Sequence, residues 1–413
     1  MPSIKKIKGF ADLFPEDAAV FTRMENTARE IFSRYGFGEL RTPILEKTEL
    51  FIKSIGEDTD VVGKEMFTFP DRKGRSMTMR PEATAGVVRA FVESGRYQPG
   101  KVLKYFTTGP MFRYERPQKG RQRQFHQLNA EIFGAPEPQA DAELILMLKS
   151  FLNELGLTKL TFELNSLGCH DCRPAYRQAL IDFYQSKGRD GFCEDCQRRM
   201  DTNPLRVLDC KSASCKELVQ GAPEITDHLC GECSDHFAQV KDILGTAGVE
   251  YVLNPRLVRG LDYYIRTAFE VTSNDIGSQT AVAGGGRYDG LPKSLGGPDC
   301  ASTGFACGME RLAMLLGAKD GDAPDFYIAV IDDRAANDAM LFAQKLREKG
   351  QRGEVSYAGG SMKSRMRAAN KTGASKCFIL GEAEFAEGTV TVKDMAGDDE
   401  QYTVSREEYL KKV

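Results

Sequence analysis

Residues 112–134, FRYERPQKGRQRQFHQLNAEIFG, can be laid down in few ways. In an extended chain successive side chains alternate sides, which puts Gln124, His126, Leu128, Ala130 and Ile132 on one face and Phe125, Gln127, Asn129 and Glu131 on the other. The first face has the makings of a core, and there His126 is expected to be a hydrogen-bonded structural residue. The second is a ring, two amides and a carboxylate in a row, costly to bury unpaired and well suited to a polar ligand. FRYE alternates too, and RPQKGRQR between the two runs carries Pro, Gly and four cations, the composition of a hairpin loop. The stretch predicts an antiparallel hairpin with one ligand-facing side.

Around that hairpin the 413-residue chain has material for two or three domains. Up to residue 165, a helical pattern at 16–36 mixes with strand-like KEMFTFP and LTFELNS, an α+β mixture with antiparallel pairing. Residues 166–245 are Cys-rich and broken by turns, and strand signals resume with FEVTS and TAVAGGG, so an inserted Cys-rich domain is expected, with the first domain continuing over 246–320. A boundary is expected at GAKDGDAPD (317–325). After it FYIAVI, a helix near 335–348, EVSYA, a helix near 361–371 and CFILG alternate as a separate α/β domain over 325–413.

A net charge of −3 excludes a global electrostatic pull on nucleic acid, so such a partner needs local basic patches. Arg113, Arg116, Lys119, Arg121 and Arg123 form one; Lys363, Arg365, Arg367, Lys371 and Lys376, in a span without an acidic residue, form another. No apolar run approaches the roughly 20 residues of a membrane-spanning helix, and the basic start lacks the apolar segment of a signal peptide. A cytoplasmic protein with no membrane partner is expected.

Three separated segments resemble the signatures of class II aminoacyl-tRNA synthetases. GFGELRTPILEKTELF, with Pro43, resembles motif 1 of the dimer interface; FRYE, the basic loop and RQFHQLNAEIFG resemble motif 2; STGFACGMERLAML resembles motif 3. RLVRGLDYYIRTAFEV and AVAGGGRYDGL resemble the two signatures peculiar to histidyl-tRNA synthetases, and the resemblance runs from KGFADLFPED into the C-terminal domain. It implies a class II catalytic domain built on an antiparallel sheet with helices, a C-terminal anticodon-binding domain, and a homodimer. It implies ATP and L-histidine as substrates with Mg²⁺, and tRNA(His), with its extra 5′ guanosine, as partner.

By this resemblance Arg113 and Arg259 are the catalytic cations at the α-phosphate. Glu115, Arg121, Phe125 and Arg311 bind ATP with Arg113, the adenine lying between Phe125 and Arg311. Glu82, Thr84, Gln127, Glu131, Tyr263 and Tyr264 bind histidine, whose imidazole needs a partner for its N–H and another for its bare nitrogen. Taken alone, Arg113 with Glu115 reads equally as a cross-strand ion pair, and Glu131 as a satisfied core carboxylate. Tyr263 and Tyr264 would point to opposite sides of an extended chain, which leaves open that only one touches the imidazole and the other is core. Glycines 284–286 let the backbone approach closely. Catalytically silent relatives that serve as regulatory subunits of ATP phosphoribosyltransferase are the rival reading; they typically lack the C-terminal domain.

Many members of the family lack the cysteines of the insertion. Cys169 and Cys172, Cys193 and Cys196, and Cys230 and Cys233 are C-x-x-C pairs, with Cys210 and Cys215 a looser fourth. Such turns aim two thiolates at one metal, so the eight predict one or two structural zinc ions, with His170, His228 and His236 as nearby substitutes. Reduced buried thiols or a redox-labile set are the alternatives.

Overall fold

Gln124–Phe133 is one continuous strand, paired antiparallel with Leu103–Phe112 from Gln124 opposite Phe112 to Phe133 opposite Leu103. The structure is a computed structural model that describes residues 3–56, 59–261, 263–277, 280–317, 323–395, 397 and 400–413. The hairpin lies inside an eight-stranded sheet. In chain order its strands are β1 (Gly38–Glu39), β2 (Leu103–Phe112), β3 (Gln124–Phe133), β4 (Thr161–Ser166), β5 (Val252–Leu253), β6 (Ile265–Thr272), β7 (Ala281–Arg287) and β8 (Ser302–Gly308). They lie side by side as β1-β2-β3-β8-β7-β6-β4-β5. Neighbours from β2 to β4 are antiparallel, and only the two short edge strands pair in parallel.

The alternation of β3 decides which side is covered. Leu128, Ala130 and Ile132 pack with Phe269 and Val271 of β6 and Phe305 of β8 beneath helices Pro15–Arg34 and Pro138–Glu154, which contribute Phe32, Leu144, Leu148 and Phe151. Helix Pro15–Arg34 begins with proline in its first turn, followed by Glu16 and Asp17 where the macrodipole favours negative charge. Its buried Val20, Phe21, Met24, Ala28, Ile31 and Phe32 recur at helical spacing. Arg113–Arg123 connects β2 to β3, and His126 is held by Glu310, whose Oε1 lies 2.9 Å from its Nδ1.

Between β4 and β6 the Cys-rich segment is helical. Helices Arg173–Ser186, Glu194–Thr202 and Ala213–Leu218 enclose a small core of Tyr176, Leu180, Tyr184, Met200 and Val207. Helix Gly231–Thr246 is different: Phe237, Val240 and Leu244 belong to the core under the main sheet. On it, His236 places Nε2 2.7 Å from Asp141 Oδ2. Asp141 in turn receives Arg287, the last residue of β7, at 2.9 and 3.2 Å. Arg287 is fully buried. Burial works against ionisation of Asp141, but Arg287 and His236 hold its carboxyl below the usual range.

The chain divides into two units, Met1–Lys319 and Asp320–Val413. Of the boundary stretch expected at 317–325, residues 318–322 lie outside the described residues. The second unit has a five-stranded sheet in the order Gly353–Val355, Phe326–Val330, Lys376–Leu380, Thr389–Asp394, Tyr402–Ser405. The first three strands are parallel, with helices Ala336–Glu348 and Met362–Thr372 as crossovers, matching the α/β alternation in the sequence. The last two, added antiparallel, carry no signal that the sequence reading used.

Arg287→Leu should lower unfolding stability by about 3–5 kcal/mol, because it strips a buried carboxylate of its cation. Urea denaturation followed by circular dichroism measures this, and a loss below about 1 kcal/mol would show that Asp141 is satisfied without Arg287.

Candidate functional site

The uncovered face of the sheet floors a cavity of about 690 Å³. Every candidate ligand residue but one lines it: Glu82, Thr84, Arg113, Glu115, Arg121, Phe125, Gln127, Arg259, Tyr263, Tyr264 and Arg311. Four separate stretches of sequence converge there: the start of helix Thr84–Ser94 with Glu82 before it, the β2–β3 hairpin, the segment leading into β6, and the start of the helix that follows β8.

The exception is Glu131, which lies just behind the wall, 1% exposed. Thr84 donates its hydroxyl to Oε1 at 2.7 Å and Tyr288 donates to Oε2 at 2.5 Å. The space for the carboxylate exists because the residue opposite on β8 is glycine: a Cβ at Gly304 would sit 1.6 Å from Oε2. Burial, opposed by the two hydroxyls and reinforced by Glu82, pushes Glu131 up to about 8. Tyr288 was not singled out in the sequence, although AVAGGGRYDGL contains it; its ring packs edge-on to Tyr263 and Tyr264, at 5.6 and 6.3 Å between centroids.

Tyr263 and Tyr264 do not point apart as an extended chain would have them. β6 begins only at Ile265, and in the turn before it the two rings come within 4.6 Å and reach the same cavity. Glu82 accepts the backbone N–H groups of Thr84 and Ala85 at 2.6 and 2.8 Å, so it caps helix Thr84–Ser94 from the cavity wall. Thr84 is the partner of Glu131, a role the sequence did not suggest. Gln127 differs from both: it lines the cavity, and its Oε1 is a buried acceptor with no hydrogen-bond partner among the described residues.

Arg113 donates Nε to the Pro81 carbonyl at 2.8 Å and its guanidinium lies 5.3 Å from the centre of the Phe125 ring. Glu115 forms an ion pair with Arg121, and nearby Glu65, also unforeseen, has its carboxyl raised by burial and by the Glu115 charge. Arg311 donates to the carbonyls of Ala281 at 2.5 Å and Gly120 at 3.4 Å, which ties the hairpin loop to β7. Arg259 is held by Glu270 at 3.0 Å and lies over Gly284, where a Cβ would come within 2.4 Å of Nη1. Its Nε is a buried donor without a partner among the described residues. Three guanidinium groups on one cavity wall, set among carboxylates, can hold a polyphosphate and stabilise charge on it. Glu270 of β6 and Glu310, the neighbour of Arg311, also line the cavity and carry no signal in the sequence that sets them apart.

The eight cysteines form two groups: Cys169, Cys172, Cys230 and Cys233, and Cys193, Cys196, Cys210 and Cys215. In each, the four sulfurs lie within 4.8 Å of one another, and either could hold a metal ion. Among the described residues no histidine joins them, His236 being engaged by Asp141.

Residues 9–312 match the family described as histidyl-tRNA synthetase, and residues 325–413 match the anticodon binding domain. The chain is 68% identical over 412 residues to the histidine–tRNA ligase of Maridesulfovibrio salexigens, covering 100% of both. It is 62% identical to that of Nitratidesulfovibrio vulgaris, covering 98% of this chain and 97% of the relative. Among solved structures, apo histidyl-tRNA synthetase of S. aureus superposes with a TM-score of 0.81 at 34% identity, covering 99% of each chain.

Because the folded chain keeps a proton on Glu131 up to about pH 8, against an ordinary carboxyl value of 4.5, it binds more protons than the unfolded chain between those values. The associated stability is full below the lower value and is lost as pH rises through the higher one. The urea midpoint of the native sequence should therefore fall between about pH 4.5 and about pH 8 relative to Glu131→Gln. Parallel pH profiles for the two proteins would show that Glu131 is ionised in the folded state.

Proposed function

The chain belongs to the histidyl-tRNA synthetase family, and from that membership we infer a histidine–tRNA ligase that activates L-histidine with ATP to histidyl-adenylate, releases pyrophosphate, and esterifies the 3′ end of tRNA(His). The architecture agrees: a class II α+β catalytic fold on an antiparallel sheet, with an anticodon domain after it. The observation that carries the reading is the meeting of Arg113, Arg259 and Arg311 with the polar row of β3 in one cavity. A silent regulatory subunit of ATP phosphoribosyltransferase would not need these cations, nor residues 325–413, and that reading is not favoured.

The histidine carboxylate is itself the nucleophile, so the site needs cations and positioning in place of a strong base. We assign Arg113 and Arg259 to the α-phosphate, where charge develops, with the orphan Nε of Arg259 as one of the donors. Phe125 and Arg311 flank the adenine, Glu115 meets its amino edge, and Arg121, paired with Glu115, reaches the outer phosphates. Gln127 Oε1 accepts from the substrate ammonium, aided by Glu82. Glu131, oriented by Thr84 and Tyr288, reads the imidazole, with Tyr263 and Tyr264 against its ring. Mg²⁺, when bound, neutralises phosphate charge, and Glu270 and Glu310 are cavity carboxylates suited to it. The two cysteine groups hold structural zinc.

A homodimer fits the apolar Ile44, Leu45 and Phe69 exposed around the small sheet Leu45–Lys47, Ser76–Met79, Phe67–Pro70. A cytoplasmic location fits a tRNA substrate, and among the described residues no helix is long and apolar enough to cross a membrane. In the second unit, Lys363, Arg367 and Lys371 are exposed at four-residue spacing on helix Met362–Thr372, one basic stripe suited to the anticodon arm. Arg365 is turned inward to the carbonyls of Val330 and Gly359, at 3.3 and 2.7 Å, and Lys376 reaches the Tyr409 hydroxyl at 3.2 Å, so neither belongs to the stripe.

Histidine-dependent pyrophosphate exchange into ATP tests the reading as a whole. Arg259→Ala should slow exchange by on the order of 10²-fold while histidine affinity by calorimetry changes little; weak histidine binding with a normal exchange rate would make Arg259 a ground-state contact. Replacing Lys363, Arg367 and Lys371 together by Ala should leave exchange intact and weaken tRNA charging, lowering its salt dependence by roughly 0.7 per cation removed. A loss of exchange in that folded variant would overturn the division of labour.

A further inference from the structure

The two cysteine groups are built alike and placed differently. In the first, Cys169 Sγ lies 3.7 Å from Cys172 Sγ and 3.9 Å from Cys230 Sγ, and the backbone N–H of Cys230 donates to Cys172 Sγ at 3.1 Å. In the second, Cys193 Sγ lies 3.7 Å from Cys210 Sγ, and the N–H of Cys193 donates to Cys215 Sγ at 3.2 Å. These separations are far beyond a disulfide. They match the edge of a tetrahedron, about 3.8 Å, around an ion with metal–sulfur bonds of about 2.3 Å. In both groups an N–H from one cysteine pair points at a sulfur of the other, a bond that favours thiolate over thiol. Each group has its own full set of four ligands and its own backbone donor, so the chain has two shells and no need to share one ion between them.

The first shell joins the start of helix Arg173–Ser186 to the start of helix Gly231–Thr246. The second closes a loop whose ends meet at the metal site, and that loop runs along the reaction cavity: Cys193 and Cys210 line it, together with Arg199 and Arg206 between them. Arg199 reaches across to Asp60 at 2.9 Å. Arg206 donates Nη1 to the backbone carbonyl of Arg259 at 3.0 Å. The segment that presents the catalytic cation is therefore pinned from the cysteine-bounded loop.

We propose that each shell takes one zinc ion and that the ion of the second shell fixes residues 193–215 as a wall of the reaction cavity, with Arg206 as the positioning residue for Arg259. The proposal rests on the reading that these cysteines hold zinc and adds where zinc acts. Without that ion the loop loses its closure, Arg206 loses its fixed base, and the Arg259 guanidinium is no longer held over Gly284, although no thiol touches substrate.

The full chain, purified without added metal or chelator, is assayed for zinc by elemental analysis and for histidine-dependent pyrophosphate exchange. Two equivalents per chain are expected in the native sequence and one in the Cys193→Ser, Cys210→Ser double variant. That variant should lose roughly 10- to 100-fold in kcat, the scale of a small misplacement of a catalytic group, with smaller changes in KM for histidine. Arg206→Ala should keep both ions and the native unfolding midpoint, yet show the same kcat loss, and Arg206→Lys should recover part of it. Less than about a tenth of an equivalent in folded native protein overturns the zinc reading and this proposal with it. One ion with full kcat in the double variant overturns the proposal alone, as does full kcat in Arg206→Ala, which decides the matter if the double variant does not fold. A native protein that holds a single ion, or a double variant that loses all its zinc or keeps two ions, overturns the two-shell assignment.

Discussion

Arg287 is fully buried and ringed by acceptors: it donates to Asp141 Oδ2, Asp289, the Ala135 carbonyl and the Glu137 carbonyl, and forms an ion pair with Asp141 Oδ1 at 2.9 Å. A buried guanidinium is tolerated only with such partners, and the geometry that supplies them is unforgiving. It fixes the end of β7 against the connection that follows β3. The next residue is Tyr288, whose hydroxyl holds Glu131. The position of Glu131 is thus inherited from a charge cluster on the covered side of the sheet, and His236 draws helix Gly231–Thr246 into the same cluster.

Two glycines show how the open side of the sheet was cleared for charge. Gly304 faces Glu131 and Gly284 faces Glu270, each across one strand pairing, and each lies where a methyl group would collide with a polar side chain, the Glu131 carboxyl in one case and the Arg259 guanidinium in the other. The strands can therefore carry bulky ionic groups flat against the sheet, where a β-branched residue would have raised them off it. Glycine costs strand stability. The cost falls on central strands, where neighbours on both sides supply the lost rigidity.

Much of this was legible beforehand because it depends on near-neighbour geometry. The two-residue period of 124–133 assigned Leu128, Ala130 and Ile132 to the core and Gln127 and Phe125 to the ligand side, and β3 keeps that division. The family signatures named Arg113, Arg121, Arg259 and Arg311, four of the six arginines that, among the described residues, line the cavity. What escaped depends on contacts distant in sequence. Tyr288 looks like one more residue after a glycine run until the fold brings it to Glu131, and Thr84 becomes an orienting hydroxyl only when helix Thr84–Ser94 is docked. A strand period carried through Tyr263 and Tyr264 would set them apart, and only the turn before β6 brings both to the cavity that the family signatures had assigned them. Spacing gave the cysteine pairs but not their partners: which C-x-x-C meets which is decided by helix packing, and Cys169 with Cys172 closes on a pair some sixty residues on.

The Glu131 pocket has no slack. One oxygen is taken by Thr84, the other by Tyr288, and the wall opposite is bare backbone. Because both oxygens are engaged before anything enters, the carboxyl cannot swing to meet a ligand: whatever is recognised there must fit the orientation that Thr84 and Tyr288 impose, so the pocket selects by fixed placement and not by adjustment.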